Sequence, residues 1–361
     1  MARAPGRTTA PFGDVASADP LSARRGSSSG QIWRRALLAL PMACLFLAAS
    51  LHTAWGALTA TVSSSATYST ATLAPPTSLS GSCTQLTIGL RSSSSNTGGN
   101  NLVLSKPSGV VAGDFLVAQL AARQTLGATP SGWTLLRTDT ESTNAYQGIY
   151  YRFAAAGDPA SWTFTGSGAL AGGIVAYTNV NTVTPIEASA PNSGTTTTMS
   201  TASVTTLGTN RRLVAFVGGY NVSGSGLLTP SGMNQMWSVQ GGSGQSTDSA
   251  GAADVSVASG GATGVYSVDD NSARNWVITT LALAPAATVS LTWTASTSTW
   301  ATKYTLERWN GASLQASASV TPVSTNSYGA TVASGAAYTY KLYTVYLNWT
   351  SSTASVTLNT C

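Results

Sequence analysis

The chain has 361 residues, of which 17 are Lys or Arg, 12 are Asp or Glu and one is His, and 8% are charged against roughly 25% in an ordinary soluble protein. Because 43% of residues are apolar and strong helix formers such as Lys and Glu are scarce, the composition argues against a disordered chain and a helical cytosolic enzyme. Four of the five units of formal net positive charge come from residues before position 36; from Ala57 onward 11 basic residues oppose 10 acidic ones. This balance excludes the extended basic face that a nucleic-acid partner requires.

The first 56 residues are typical of an export signal. Arg34 and Arg35 precede an apolar run over residues 36–51, and Ala54-Trp55-Gly56 fits a small-residue cleavage site. The run has about 16 strongly apolar residues, fewer than the ~20 that usually span a bilayer. We expect a signal peptide cleaved before Ala57; the alternative is an uncleaved N-terminal membrane anchor, the chain's sole membrane contact. Both predict a secreted or bacterial cell-surface protein.

Export restricts the chemistry that the rest of the chain can perform. His52, the single histidine, belongs to residues 1–56, so the remaining chain lacks Ser-His-Asp and Cys-His catalysis and histidine zinc sites. We expect no cofactor. Two cysteines remain beyond this segment, Cys83 and Cys361, and an even pair in an exported protein predicts a disulfide.

Residues 57–74 are rich in Ser and Thr and are interpreted as a linker that ends before Pro75-Pro76. Beyond it, short β-type runs are separated by Gly, Ser, Asn and Pro, a pattern that suits an antiparallel sandwich. No amphipathic helix of convincing length is present. The chain is therefore predicted to be all-β.

A weak internal repeat divides the middle of the chain. Residues 114–120 lead to Thr129-Pro130-Ser131-Gly132, and residues 212–217 lead likewise to Thr229-Pro230-Ser231-Gly232. Each half then closes on an apolar strand. The pattern predicts two similar halves that supply the two faces of one sandwich.

The last segment alternates apolar and polar residues, with Val289, Leu291 and Trp293 on one face. Trp293, Tyr304 and Tyr338-Thr339-Tyr340 follow one another in the order of the Trp, Tyr and Tyr-x-Tyr of fibronectin type III domains. Residues 286–361 therefore resemble such a domain. The resemblance implies an immunoglobulin-like sandwich with Trp293, Tyr304, Tyr338 and Tyr340 in its core.

The proline-led first strand of that family is missing just before the Trp strand. Residues 75–84, which contain Pro75-Pro76 and Leu79, have the expected character but lie some 200 residues upstream. We interpret residues 85–285 as an insertion into the first loop of the fibronectin-like domain, which exposed loops tolerate. In this layout a Cys83–Cys361 bridge closes the split domain. The alternative is a tandem of a sandwich and a truncated domain.

The inserted region carries a second resemblance. Four motifs, at residues 110–117, 130–135, 150–152 and 184–187, resemble a β-sandwich module of secreted and surface proteins of bacteria and their phages. The resemblance implies a jelly-roll-like antiparallel sandwich. It specifies a fold more than an activity.

Without histidine beyond residue 56, a pair of carboxylates is the catalytic arrangement that the chain could still form. Glycoside hydrolases use two carboxyl groups on opposite sides of a cleft. Asp139 and Glu141 are close in sequence, but nothing in the pattern brings two carboxylates together, so we expect no enzyme. Asp269 and Asp270 are weak candidates for Ca²⁺ because Asn271 and Ser272 follow, yet they match no calcium loop. A polar hairpin turn is the preferred interpretation.

Exposed aromatic rings are the remaining candidates for ligand binding. Trp237, flanked by Gly-rich loops, is predicted to be the most exposed ring, and Tyr220 is the second candidate. The sequence therefore favours a non-catalytic adhesion, binding or display module, whose partner is a surface polysaccharide or another surface protein. An accessory part of polysaccharide degradation or a weak glycoside hydrolase is one alternative, and a structural surface-layer spacer is another.

Overall fold

A computed structural model describes residues 71–220, 228–241, 248–270, 272–359 and 361. The predicted export signal at residues 1–56 and most of the linker at 57–74 lie outside the described residues. Within the described ranges, no helix is long and apolar enough to cross a membrane. The linker's last residues pack on the fold: Leu73 is buried, and the Ala74 carbonyl accepts hydrogen bonds from the hydroxyls of Ser296 (2.6 Å) and Thr344 (2.9 Å).

The described residues form 24 β-strands and no helix, as the composition predicts. The first twelve are β1 (Thr77–Gln85), β2 (Gly89–Gly98), β3 (Asn101–Ser105), β4 (Phe115–Ala122), β5 (Thr134–Glu141), β6 (Ala145–Phe153), β7 (Ser161–Thr165), β8 (Leu170–Thr178), β9 (Ile186–Gly194), β10 (Thr198–Ser200), β11 (Thr205–Thr206) and β12 (Arg211–Tyr220). The others are β13 (Asn234–Gly241), β14 (Asp248–Val257), β15 (Gly261–Ala262), β16 (Ser267–Asp269), β17 (Trp276–Leu283), β18 (Ala286–Thr294), β19 (Lys303–Asn310), β20 (Ser313–Val320), β21 (Ser327–Ala333), β22 (Tyr338–Tyr346), β23 (Trp349–Thr350) and β24 (Ala354–Leu358).

Strands β1 and β18–β24 form a C-terminal sandwich. One sheet has the order β1-β18-β21, and the other has the order β20-β19-β22-β23, with β24 also paired to β22. Strand β1 runs antiparallel to β18, so Cys83 lies opposite Val289. The alternating burial along β18 turns Val289, Leu291 and Trp293 inward, as their spacing predicts.

The core of the C-terminal sandwich contains all four aromatic residues predicted for it, Trp293, Tyr304, Tyr338 and Tyr340. The Trp293 and Tyr304 rings meet edge to face, with their centroids 5.7 Å apart. The Tyr304 hydroxyl donates to the Val323 carbonyl (2.6 Å), which satisfies a polar group inside the core. Cys83 and Cys361 form a disulfide, with Cα atoms 5.2 Å apart, as predicted.

Strands β2–β17 form a repeat sandwich of two five-stranded sheets. Strands β2–β8 are the first repeat, with the order β2-β8-β4-β6-β5, and β9–β17 are the second, with the order β9-β17-β12-β14-β13. The two orders are equivalent strand for strand when the two-residue strands β11 and β15 are left out. The topology confirms the internal repeat.

The turn that suggested the repeat has one geometry in both halves. Gly132 and Gly232 adopt φ angles of 79° and 85°, which favour glycine. Each turn closes with a 3.1 Å hydrogen bond to a proline carbonyl, from Trp133 N–H to Pro130 and from Met233 N–H to Pro230. The shared letters therefore encode a shared turn.

The repeat sandwich is built in four layers. The two five-stranded sheets face each other over a core that includes Phe115, Val117, Tyr177 and Phe216. The β3–β7 pair covers the outer face of the first sheet, and β10 covers the second, where Met199 is buried. Because both faces of each sheet are covered, β4 and β17 are buried along their whole lengths.

Candidate functional site

The prediction that Trp237 is an exposed ligand-binding ring is wrong. Its side chain is 5% exposed and lies between the two five-stranded sheets, with its ring centroid 6.0 Å from that of Phe216. A register shift between Gln235 and Trp237 places the ring there, and Gly173 leaves room for it: a Cβ at Gly173 would lie 2.7 Å from the ring. Sequence reasoning missed this burial because neither a bulge nor a partner glycine is visible locally.

Tyr220, the second predicted binding ring, lies at the end of β12 and is half-buried. The guanidinium of Arg123 covers its face, 4.6 Å from the ring centroid. A ring covered in this way offers a ligand less surface than a free one. The structure therefore brings neither predicted ring into an open binding surface.

The two weak metal candidates do not share one environment. Asp269 is exposed on β16 opposite Thr198, whereas Asp270 is buried. Among the residues that the structure describes, no three His, Cys, Asp or Glu side chains are placed to hold a metal ion. Within the described ranges, Asp269 and Asp270 therefore have no third acidic side chain placed with them to complete a carboxylate site.

Arginines engage half of the ten carboxylates beyond residue 57. Each of these carboxylates forms an ion pair within the repeat sandwich: Asp114 with Arg91, Asp139 with Arg137, Asp158 with Arg152, Glu187 with Arg211 and Asp254 with Arg212. Glu141, the sequence neighbour of Asp139, instead accepts a 2.6 Å hydrogen bond from the Ser193 hydroxyl. The five ion-paired carboxylates thus have partners within the fold. Asp139 and Glu141, the candidate catalytic pair, bind different partners.

Exposed aromatic residues gather at one end of the C-terminal sandwich. Trp300 and Trp349 are 38% and 57% exposed, and the centroid of Trp300 lies 5.0 Å from that of Tyr346 and 6.5 Å from that of Trp349. Leu347, 76% exposed, lies in the turn between Tyr346 and Trp349. We call these four residues the aromatic tip.

Backbone hydrogen bonds position the aromatic tip. Tyr346 pairs with Trp349 across the two-residue hairpin between β22 and β23. Trp300 lies in the loop before β19, which is joined to β22 by a 3.0 Å hydrogen bond from Thr302 N–H to the Val345 carbonyl. Leu347 has a φ of 51°, a left-handed conformation that is costly for a branched side chain. The fold therefore retains a strained leucine at an exposed position.

A second aromatic residue of this sandwich provides a contrast. Trp309 lies on the outer face of β19, where the Lys341 ammonium is 4.2 Å from its ring centroid and its Nε1–H donates to Glu307 (2.9 Å). In the described part of the chain, no cation covers a ring of the aromatic tip. The tip rings thus contact one another edge to face and carry no cation, whereas a lysine ammonium occupies the face of Trp309.

Sequence reasoning missed Trp300 and Trp349. Trp349 lies in the polar stretch Asn348-Trp349-Thr350-Ser351, whose composition is typical of a turn, and Trp300 lies among Ser and Thr residues without strand periodicity. A usable signal was the presence of bulky aromatic residues where turn residues are expected, since such positions do not reach a core. The pairing of β22 with β23, together with the Thr302–Val345 hydrogen bond, brings the two tryptophans together.

Comparisons with known proteins add no family. No family model matches the chain, and no curated protein matches it. Among solved structures, the chain is similar to the crystal structure of domains A168-A170 from titin, with 11% sequence identity, coverage of 80% of this chain and 99% of that chain, and a TM-score of 0.17. A TM-score this low carries no argument, so the all-β assignment rests on the strands described above.

Proposed function

We propose that this chain is a non-catalytic binding module of a bacterial cell surface and that its aromatic tip contacts the sugar rings of a surface polysaccharide. The exposed grouping of Trp300, Tyr346, Leu347 and Trp349 carries this proposal. Aromatic side chains bury large apolar areas, while the polar edges of Tyr and Trp suit a wet surface. The C–H faces of pyranose rings offer a matching surface.

The size of the tip favours a sugar over a second protein as its partner. A standard protein interface engages roughly 20–30 residues on each side. The aromatic tip consists of four residues, and Ser and Thr dominate the segments around it, at 294–299 and 350–353. Ser296 and Ser298 are buried, but Thr297, Thr299, Thr350 and Ser352 are exposed, and exposed hydroxyl groups beside aromatic rings suit a polyhydroxylated ligand.

The strand arrangement supports the proposed split fibronectin type III domain. A three-stranded sheet that includes β1 faces a second sheet that contains β19, β20 and β22, and the core between them holds the four expected aromatic residues. The two ends of residues 85–285 lie close together, since Leu86 N–H donates to the Ala286 carbonyl (2.8 Å). Close ends are what an insertion into an exposed loop requires.

The repeat topology supports a jelly-roll-like guest, with one refinement. In each repeat the first, seventh, third and fifth strands lie side by side, and the second pairs with the sixth over the outer face. This order returns each late strand beside an early one, as in jelly rolls. We therefore infer two jelly-roll-like repeats rather than one.

The Cys83–Cys361 disulfide supports the proposed export, because disulfides persist in oxidising compartments outside the cytosol. The proposed location is extracellular, either secreted or held at the surface by the N-terminal segment. The arginine-paired carboxylates weigh against the glycosidase alternative, which needs two free carboxyl groups. Neither polysaccharide degradation nor a spacer role has an observation of its own in its favour.

Affinity electrophoresis and pull-down on insoluble polysaccharides test the tip. The wild-type protein is compared with Trp300→Ala and Trp349→Ala on chitin, cellulose and purified bacterial cell walls. We expect retention on at least one glycan and a loss of about tenfold for each variant, which corresponds to about 1.4 kcal/mol per ring.

Trp309→Ala is the matched control, because it removes a tryptophan of the same sandwich whose face is already covered by Lys341. We expect this variant to be retained like the wild type. Phosphatidylcholine vesicles form a separate arm, since exposed Trp, Tyr and Leu also suit a lipid interface. Vesicle binding without glycan binding, or absence of both, contradicts the proposal, and the latter outcome favours the spacer.

A further inference from the structure

A cleft of about 380 Å³ lies between the two sandwiches, at the end of the C-terminal sandwich away from the aromatic tip. Its walls include Asn181 and Val183 from the repeat sandwich and Arg308 and Ser334 from the C-terminal sandwich. The volume falls within the range of small-molecule sites. The cleft is therefore large enough for a ligand of monosaccharide size.

The walls of the cleft are preorganised. Arg211 and Glu187 form a buried, multiply hydrogen-bonded ion pair, with guanidinium-to-carboxylate distances of 2.9–3.0 Å, so their charges cancel locally. Asn181 Oδ1 accepts from the backbone N–H groups of Val183 (2.9 Å) and Thr184 (3.1 Å), which fixes that loop. The repeat sandwich thus contributes a rigid and electrically neutral wall.

Arg308 supplies the charge of the cleft. It occupies an inward position on β19, two residues beyond Leu306, and its guanidinium stacks on the Tyr338 ring at 5.3 Å from the centroid. Whereas five other arginines are ion-paired, Arg308 forms no ion pair within the described part of the chain. The half-buried Arg308 lies near Tyr338 and Tyr340, but no carboxylate among the described residues neutralises its charge, so an anion that enters the cleft gains a charged hydrogen-bond partner.

Two orphan polar atoms point to the same ligand chemistry. Over the described ranges, Arg308 Nε and the Ser334 hydroxyl are buried and have no hydrogen-bond partner. They are two of thirteen such atoms among the described residues, and they are the two that belong to residues lining the cleft. An oxyanion that reaches Arg308 would accept from the guanidinium, and a sugar hydroxyl beside it would pair with Ser334.

We propose that this cleft binds the carboxylate of a uronic acid residue, with Arg308 as its anchor. A guanidinium matches a carboxylate through two parallel N–H···O bonds, which a point charge such as lysine does not reproduce. Asn310 and Gln315 add amide groups for sugar hydroxyls, and Leu207 and Val183, 80% and 77% exposed, add apolar contact at the rim. This site is separate from the aromatic tip and does not depend on it.

Isothermal titration calorimetry with tri-galacturonate tests the cleft, with the uncharged galactose trisaccharide as the paired ligand. We expect the wild type to bind the uronate at least tenfold more tightly than the neutral sugar. Arg308→Gln should lose that preference, and Arg308→Lys should recover only part of it, because lysine keeps the charge but not the fork.

Arg274→Gln is the control variant, because Arg274 also has an unpartnered Nε but precedes β17, whereas the cleft contacts Ala284 just beyond the other end of that strand. It should bind like the wild type. Ser334→Ala changes a second residue of the cleft, just after β21 rather than on β19, so the proposal stays testable if Arg308→Gln fails to fold; we expect a loss of severalfold. Equal binding of charged and neutral trisaccharides, equal binding by wild type and folded Arg308 variants, or binding of a tripeptide carboxylate in place of the uronate would overturn the proposal.

Discussion

Asp248, at the start of β14, is a carboxyl buried within the repeat sandwich. Burial raises its pKa from 3.8 to about 7, although a hydrogen bond from the Arg123 backbone and the Arg123 charge act in the opposite direction. The folded state therefore keeps a proton on Asp248 between about pH 4 and pH 7 that the unfolded state has released. The stability that this group contributes is present below pH 4 and is lost as the pH rises to 7.

Replacement of Asp248 by Asn should remove this pH dependence, because the amide has the shape of the protonated acid and does not titrate. The difference in unfolding free energy between the wild type and Asp248→Asn should change across pH 4–7 by up to about 1.4 kcal/mol per pH unit. Urea unfolding at four pH values measures this difference. A difference that stays constant over that range contradicts the assignment.

At the scale of elements, a network of buried side-chain hydrogen bonds joins the facing sheets of the two repeats. Gln119 Nε2 donates to Gln147 Oε1 (2.6 Å) and to the Val217 carbonyl (2.9 Å). Gln147 Nε2 donates to Thr279 Oγ1 (2.8 Å), whose hydroxyl donates to Asp139 (2.7 Å). Each of these hydrogen bonds joins two strands or the two sheets. The hydrogen-bond network therefore determines how the two sheets are aligned.

Gln147→Leu should weaken this junction, since it leaves Thr279 and Gln119 with fewer partners in a buried environment. We expect the free energy of unfolding to fall by about 1–3 kcal/mol. Gln235→Leu, at an exposed position of β13, is the control and should change stability by less than about 0.5 kcal/mol. Denaturant unfolding of both variants measures the difference. Equal losses in the two variants would indicate that the buried hydrogen-bond network does not contribute to the free energy of unfolding.

The sequence predicted correctly those features that depend on the pattern within a single strand or turn. The alternation of Val289, Leu291 and Trp293 identified the inward face of β18, and the shared Thr-Pro-Ser-Gly letters identified the repeat. Trp237 and the aromatic tip were not predictable, because their exposure depends on other parts of the chain. Gly173 makes room for Trp237, and the β22–β23 pairing brings Trp349 beside Trp300.

At the scale of the whole molecule, a disulfide joins Cys83 on β1 to Cys361, which follows β24, and the two cysteines are 278 residues apart in sequence. In the chain-entropy account, a crosslink over this length stabilises the fold by up to roughly 5 kcal/mol, less any native-state strain. Removing it should chiefly loosen β1 and β24, which are the strands nearest the two cysteines.

The double variant Cys83→Ser/Cys361→Ser tests this role of the disulfide. We expect a lower unfolding temperature and faster amide exchange in β1 than in β4, a strand buried in the repeat sandwich. Reductant should lower the unfolding temperature of the wild type and leave that of the double variant unchanged. Identical unfolding temperatures for the two oxidised proteins would show that the bridge adds no stability.

The pairing of β1 with β18 also determines the order in which the protein can form during synthesis. Strand β1 emerges from the ribosome long before β18, and β2–β17 lie between them. All strands of the repeat sandwich have been synthesised once residue 283 has left the ribosome. The repeat sandwich can therefore fold before β18, the pairing partner of β1, is available. Its folding then brings Leu86 and Ala286 together, which shortens the loop that the later pairing must close. Folding of the inserted sandwich thereby places β1 beside the position where β18 and the later strands of the C-terminal sandwich form.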